Sequence, residues 1–317
     1  MKVGDILEHF LSRADWVDRS STVDRVIIGD AEMDADRCVV TWMPSLGALR
    51  EAVRRKVRLV VCHEPTFYNH RDDRPETHPP EEQIVQGSPN ARGPRREVLR
   101  RGPLPRVWGP LQKQQFIQRH GLTIVRLHDT WDRWPKVGIP WAWAKFLGFG
   151  EAPAVVGGGG YQHRYDIAAT TVRELSRRIA RRCAAVGEPM VQVTGDDSQR
   201  VRRIGIGTGC GCDLNEYRRM GCEASIVCDD GSCYWAGIQM AQDAGHAVIR
   251  VNHGTSEEPG MVTLTQYIND NLPLKAAHLP HGSTFHLVGS SARRTGAVSA
   301  GDVAAGTAVR RSRKGKR

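Results

Sequence analysis

The sequence predicts an α/β protein built from duplicated α/β units, with mostly parallel sheets flanked by helices. Three observations carry that prediction. Short apolar runs of strand length alternate with segments of helical periodicity along the chain. The run VRLVVC (57–62) is apolar almost throughout, as suits a strand buried on both faces. And a pair of signatures occurs twice in the same order. VVCHEPTFY (60–68) matches IVCDDGSCY (226–234), and HDTWD (128–132) matches HGTSE (253–257).

Taken in order, Val3, Ile6, Leu7, Phe10 and Leu11 recur at helical spacing and predict an opening amphipathic helix. VDRVIIG and RCVVTWM read as strands, and Pro44 with Leu46, Leu49 and Val53 begins a helix. The strand VRLVVC follows. Residues 69–108 are rich in Pro, Arg, Asp and Gly and read as a long surface loop. A helix over Leu111–His120 and the strand LTIVRL (122–127) come next, then a Trp- and Gly-rich stretch ending in VVGGGGY. Thr171–Val186 reads as a helix with Val172, Leu175, Ile179 and Cys183 on one face, and Thr171 with Glu174 forms a capping box. RRIGIG, EASIVC (223–228) and HAVIRV (246–251) read as strands, Ser232–Ala244 and Thr263–Leu272 as helices, and STFHLV (283–288) as a last strand. The expected organisation is a first unit over 1–150, a second over 151–288, and a disordered basic tail over 289–317.

The net charge of +10 is concentrated in that tail, where eight basic residues face one acid, Asp302. The tail is otherwise Gly, Ala, Ser, Thr and Val and lacks the apolar surface to fold. Contact with nucleic acid through it is one reading, and a solvated tail is the favoured one. No apolar run approaches the roughly 20 residues that span a bilayer, and the N-terminus has no signal-peptide pattern. A cytoplasmic location without a membrane partner is the expectation. The eight cysteines then read as reduced thiols. Five of them fall between Cys210 and Cys233, with spacings that match no standard zinc or iron–sulfur pattern. GIGTGCG likewise lacks the context of a dinucleotide-binding turn.

The residues that point to chemistry are three histidines near the C-terminal ends of predicted strands, the sheet edge where ligands gather in open α/β folds. Each has a carboxylate beside it: His63 with Glu64, His128 with Asp132, His253 with Glu257. Imidazole plus carboxylate suits divalent Zn, Fe, Mn or Co. Six donors exceed one tetrahedral ion and suit two, and the charge balances. Two divalent ions bring +4, three carboxylates −3, and one hydroxide closes the sum. HEPTF is not a zincin motif, because no second histidine follows at the required spacing.

These motifs bring a family into view. The chain resembles the Nif-three-like dinuclear metal-centre proteins, whose bacterial members are often labelled GTP cyclohydrolase I type 2 homologues. The resemblance rests on VRLVVCHEPTFY, GLTIVRLHDTWD, GHAVIRVNHGTSEEPGM and the glycine turn RRIGIGTGCG, and covers roughly residues 20–288. It implies metal ligands at His63, Asp132, His253 and Glu257, with His128 an additional or nearby ligand. Many members carry two histidines where this chain has His63-Glu64. Glu64 as a ligand makes the site harder and more anionic, favouring Mn, Fe or Mg over Zn. The resemblance also implies a toroidal homohexamer, and its label suggests nucleotide substrates. Asp229 and Asp230 occupy the repeat position of His63-Glu64, either orienting ligands or a bound water, or capping the following helix. The expected function is a metal-dependent hydrolase with two divalent ions, acting on nucleotide or phosphoester-like substrates, with Glu64 or Asp229 as general base. The alternative is a non-catalytic metal-binding scaffold or regulatory oligomer.

Overall fold

The structure, a computed structural model, describes residues 1–70 and 109–288. It contains two sheets. The first runs from edge to edge as β1 (Arg25–Ile28), β4 (Thr123–Arg126), β3 (Leu59–Cys62), β2 (Arg37–Thr41) and β11 (Lys275–His278). All its ladders are parallel except β1 on β4. The second runs β5 (Val155–Gly157), β6 (Gln162–Thr171), β8 (Arg200–Ile206), β9 (Ala224–Cys228), β10 (Ala247–Val251) and β7 (Gln192–Thr194). Its centre, β8–β9–β10, is parallel, and the strands on either side are antiparallel.

The duplication expected from the paired signatures is visible in the topology. The first half reads α1 (Val3–Leu11), β1, β2, α2 (Leu46–Arg54), β3, α3 (Pro110–Arg119), β4, α4 (Asp129–Asp132). After α5 (Ile139–Phe146) and the paired strands β5 and β6, which stand outside the repeat, the second reads α6 (Val172–Cys183), β7, β8, α7 (Leu214–Arg219), β9, α8 (Gln239–Asp243), β10, α9 (His253–Asn271). In each half the fourth strand lies between the first, antiparallel to it, and the third, parallel to it. The equivalent strands therefore end at equivalent places, which puts both repeats of each signature at strand C-termini.

Local sequence explains these elements. Every residue of β3, β4 and β9 is buried, so their apolar runs fill the core on both faces. In α6 the predicted face is the buried one, with Val172, Leu175, Ile179 and Cys183 inside. Its capping box forms as expected: Glu174 N donates to Thr171 Oγ1 at 3.2 Å, and Thr171 N donates to Glu174 Oε2 at 3.1 Å. Met1–Ser283 form one compact unit, in which β11 returns from the C-terminal stretch to close the first sheet beside β2.

Two expectations need correction. STFHLV is not a strand: Thr284–Val288 have no regular structure and are exposed, and the last strand is Lys275–His278. Alternating apolar residues make a strand only where a neighbour pairs with them, and Thr284–Val288 pair with no described strand. The helix read as Thr263–Leu272 begins ten residues earlier, at His253, and carries Pro259 inside it. Packing overrides the breaker there. Thr255–Met261 are all buried, Trp131 Nε1 donates to Gly260 O at 2.8 Å, and a Cβ on Gly260 would collide with Ile139. Residues 71–108 of the loop expected over 69–108, and the tail expected over 289–317, lie outside the described residues. Among the described residues no helix is long and apolar enough to cross a membrane.

Candidate metal centre

The C-terminal edges of the two parallel strand sets converge on one group of side chains. His63 and Glu64 follow β3 directly, and their N–H groups both donate to Trp42 O, at 3.1 and 2.8 Å. His128 follows β4 and precedes the single turn α4, which carries Asp132. His253 and Glu257 share a face of α9, four residues apart, because that helix starts at His253. All six predicted ligands are brought together.

Their distances define the centre. His63 Nε2 lies 3.3 Å from Asp132 Oδ1 and 3.4 Å from Glu257 Oε2. Glu257 Oε2 is also 3.0 Å from His253 Nε2. Glu64 Oε1 lies 3.5 Å from His253 Nε2 and 3.8 Å from His128 Nε2. The His63 and His128 rings stack at 4.4 Å, and His128 Nδ1 faces Asp129 Oδ1 at 3.0 Å and Asp132 Oδ2 at 3.3 Å. His63 Nδ1 is 3.1 Å from Leu127 O. A carbonyl only accepts, so Nδ1 carries the hydrogen, and the Nε2 lone pair of the neutral ring faces the carboxylates.

The electrostatics are those of an anionic cluster drawing in positive charge. Burial and His128 pull the His63 pKa down, yet Glu257 and Asp132 outweigh them and hold it above its ordinary value. Burial also opposes protonation of His128 and His253, but Asp132, with Asp129 and Glu64, raises the first well above normal, and Glu257 raises the second. Burial by itself would raise Glu257; His253 and His63 reverse this and leave its pKa low.

The residues fit divalent ions. His63 Nε2 and Glu64 Oε1 are buried without a hydrogen-bond partner, an expensive arrangement unless something else meets them. Ligand atoms of His63, Asp132 and Glu257 lie within 4.8 Å of one another, as do those of Glu64, His253 and Glu257. Glu257 belongs to both groups. Further groups join His63, Glu64 and His128, and His128, Asp129 and Asp132. Among the described residues no such group contains a cysteine.

Asp229 and Asp230 sit at the end of β9, as their repeat position requires. Both are exposed; Asp229 Oδ1 accepts from His253 N at 2.6 Å, and Asp230 Oδ2 lies 3.8 Å from His253 Nδ1. Asp229 therefore holds the start of the helix that presents His253 and Glu257. Sequence reasoning missed three supporting residues. Trp42 Nε1 donates to Glu257 Oε2 at 2.9 Å, and its ring meets His253 edge-on at 5.4 Å. Asp24, buried, accepts from the N–H groups of His128, Asp129 and Thr130 at 2.6, 2.8 and 2.9 Å. Glu188, in the corresponding place of the second half, accepts from Asn252 N. Trp42 directly follows the parallel strand β2 and was within reach of the strand-edge rule; Asp24 and Glu188 precede antiparallel edge strands and carry no local signal.

A duplicated α/β chain with a histidine–carboxylate centre between its sheets defines a class of candidate metal proteins. The chain belongs to the Duf34/NIF3 (NGG1p interacting factor 3) family, whose match covers residues 111–281. Solved structures share the fold. The Staphylococcus aureus hypothetical protein SA1388 is similar over 91% of this chain and 99% of its own, with 15% identity and a TM-score of 0.65. The Bacillus cereus protein related to NIF3 covers 91% and 99%, with 11% identity and a TM-score of 0.64. Reduced HcgD from Methanocaldococcus jannaschii covers 88% and 98%, with 15% identity and a TM-score of 0.59. No curated protein matches the chain.

Proposed function

We propose that this protein holds two divalent metal ions and uses them in hydrolysis of a phosphoester-like or nucleotide substrate. The observation that carries the reading is the overlap of two donor groups at Glu257, His63–Asp132–Glu257 and Glu64–His253–Glu257. A carboxylate shared by two donor sets is suited to bridge a pair of ions. Such a pair, when bound, would supply Lewis acidity and lower the pKa of a water it held. The chain's own residues do the rest. The Leu127 carbonyl fixes the His63 ring as the tautomer that offers Nε2. Trp42 fixes the Glu257 carboxylate, and Asp229 fixes the helix turn carrying His253.

Glu64 has the two properties a general base needs here, a carboxylate oxygen without a hydrogen-bond partner and a place among the donors. A proton taken from water would rest on the Glu64 carboxylate. Asp229 is the second candidate, reaching the site through His253. The test is turnover of a panel of phosphomonoesters, phosphodiesters and nucleotides by protein loaded with Mn, Fe, Co or Zn. Hydrolysis that falls by about 10²–10⁴-fold in Glu64→Gln, compared with wild type at equal metal loading because Glu64 is itself among the donors, is the expected result. A fully loaded wild type that turns over nothing in the panel contradicts the hydrolase reading and leaves a metal-binding protein.

A further inference from the structure

The glycine run before Tyr161 takes no part in the donor groups, yet it borders the centre together with Arg133. Arg133 directly follows Asp132 at the end of α4. Its guanidinium lies 5.5 Å from the Tyr161 ring centre, it is partly buried, and it makes no ion pair among the described residues. On the opposite side Tyr161 packs against Gly211, where an added Cβ would stand 3.2 Å from the Tyr161 Cβ. Gly211 closes the turn Gly209–Gly211. A Cβ on Gly209 would stand 2.9 Å from His253 Nε2 and 3.1 Å from Glu257 Oε1. Arg133 and Tyr161 thus form a continuous rim from the Asp132 side of the centre to the His253–Glu257 side. The Tyr161 phenol lies within electrostatic reach of both Asp132 and Asp129.

The glycines make room for this rim. Gly158, Gly159 and Gly160 have φ of 52, 66 and 108°, a left-handed path that other residues resist. A Cβ on Gly160 would come within 3.0 Å of Arg133 Nε, so a side chain there would push the guanidinium aside. Partial burial of a guanidinium without a carboxylate partner costs solvation that an anionic ligand would restore. Its planar fork of donors matches phosphate oxygens two at a time. Asp132 and Asp129, which lie nearby, would repel such an anion unless metal ions neutralised them, so anion binding at the rim depends on the proposed ions.

We infer that Arg133, backed by Tyr161 and the Gly158–Gly160 turn, is the phosphate-binding arm of this centre, and that the substrate is a small molecule carrying a phosphate group. The inference rests on the metal reading above and deepens it.

The test uses the full chain loaded with Mn, with metal per chain measured first and inorganic phosphate then titrated by calorimetry. Loaded wild type is expected to bind phosphate. Arg133→Gln should weaken binding by about tenfold or more at unchanged metal content, the loss of a charge-assisted contact. Arg133→Lys, which keeps the charge and fills a similar volume, should fall between the two, and acetate should bind more weakly than phosphate. Equal phosphate affinity in wild type and Arg133→Gln, both loaded, overturns the arm, as does a loaded wild type that binds no phosphate or prefers acetate. A wild type that takes up no metal overturns the metal reading itself, and this inference with it.

Discussion

Glu257 and Asp132 make different demands on the centre, and single substitutions separate them. Glu257 enters both donor groups of the proposed pair, whereas Asp132 enters only the one with His63. Glu257→Ala is expected to bring metal content close to zero, and Asp132→Ala to leave about one ion per chain; equal losses in the two would refute a shared carboxylate. Trp42 acts at one remove. Removing its indole N–H in Trp42→Phe should weaken metal binding by about 10–100-fold, the usual cost of losing a group that orients a ligand, with little change in the melting temperature of the metal-free protein. Equal metal affinity in wild type and variant would assign Trp42 a packing role only. The six candidate donors were legible because strand periodicity places His63, His128 and His253 at strand ends and a carboxylate follows each within four residues. Trp42 was not, because an indole that ends a strand looks like any core residue until the Glu257 carboxylate is found 2.9 Å away.

At the scale of elements, buried carboxylates hold the ligand-bearing turns. Asp24→Ala would strand the N–H groups of His128, Asp129 and Thr130, which all donate to it. A loss of about 1–3 kcal/mol in denaturant-derived stability is expected, together with weaker metal uptake. Unchanged stability would mean that water replaces the carboxylate. β3, β4 and β9 were legible from apolar runs alone, since they are buried throughout, whereas β5, β6 and β7, with exposed or half-buried residues along them, were not read as strands. The start of α9 was not legible either. Pro259-Gly260 reads as a helix breaker, and only packing against Trp131 and Ile139 explains why the helix runs through it. The unforeseen helical start is what sets His253 and Glu257 on one face.

At the scale of the whole molecule, the repeat of two short signatures foretold a repeat of strand order in both halves. The C-terminal return of β11 to the first sheet had no sequence signature, since edge pairing depends on which strand is left open. Charge also acts at this scale. Burial pushes His163 and His246 down to about 4 from an ordinary value of 6.5. Between those values the unfolded chain binds protons that the fold excludes, so stability should drop as pH falls through that window, by about 1–3 kcal/mol for each group. The raised histidines of the metal-free centre have the opposite sign. They contribute below pH 6.5, and that contribution is lost as pH rises through their raised values. Urea unfolding of wild type and His246→Gln at pH 7 and pH 5 checks the acid side, where the variant should lose less; an equal loss would contradict it.

The central claim is a pair of ions bridged by Glu257. It is tested most directly by elemental analysis of wild-type protein purified without chelator or nickel, followed by anomalous diffraction from its crystals at the edge of the metal found. Close to two ions per chain are expected, as two anomalous peaks with the Glu257 carboxylate between them. No metal after reconstitution with Mn, Fe, Co and Zn, or a single peak away from Glu257, would contradict it.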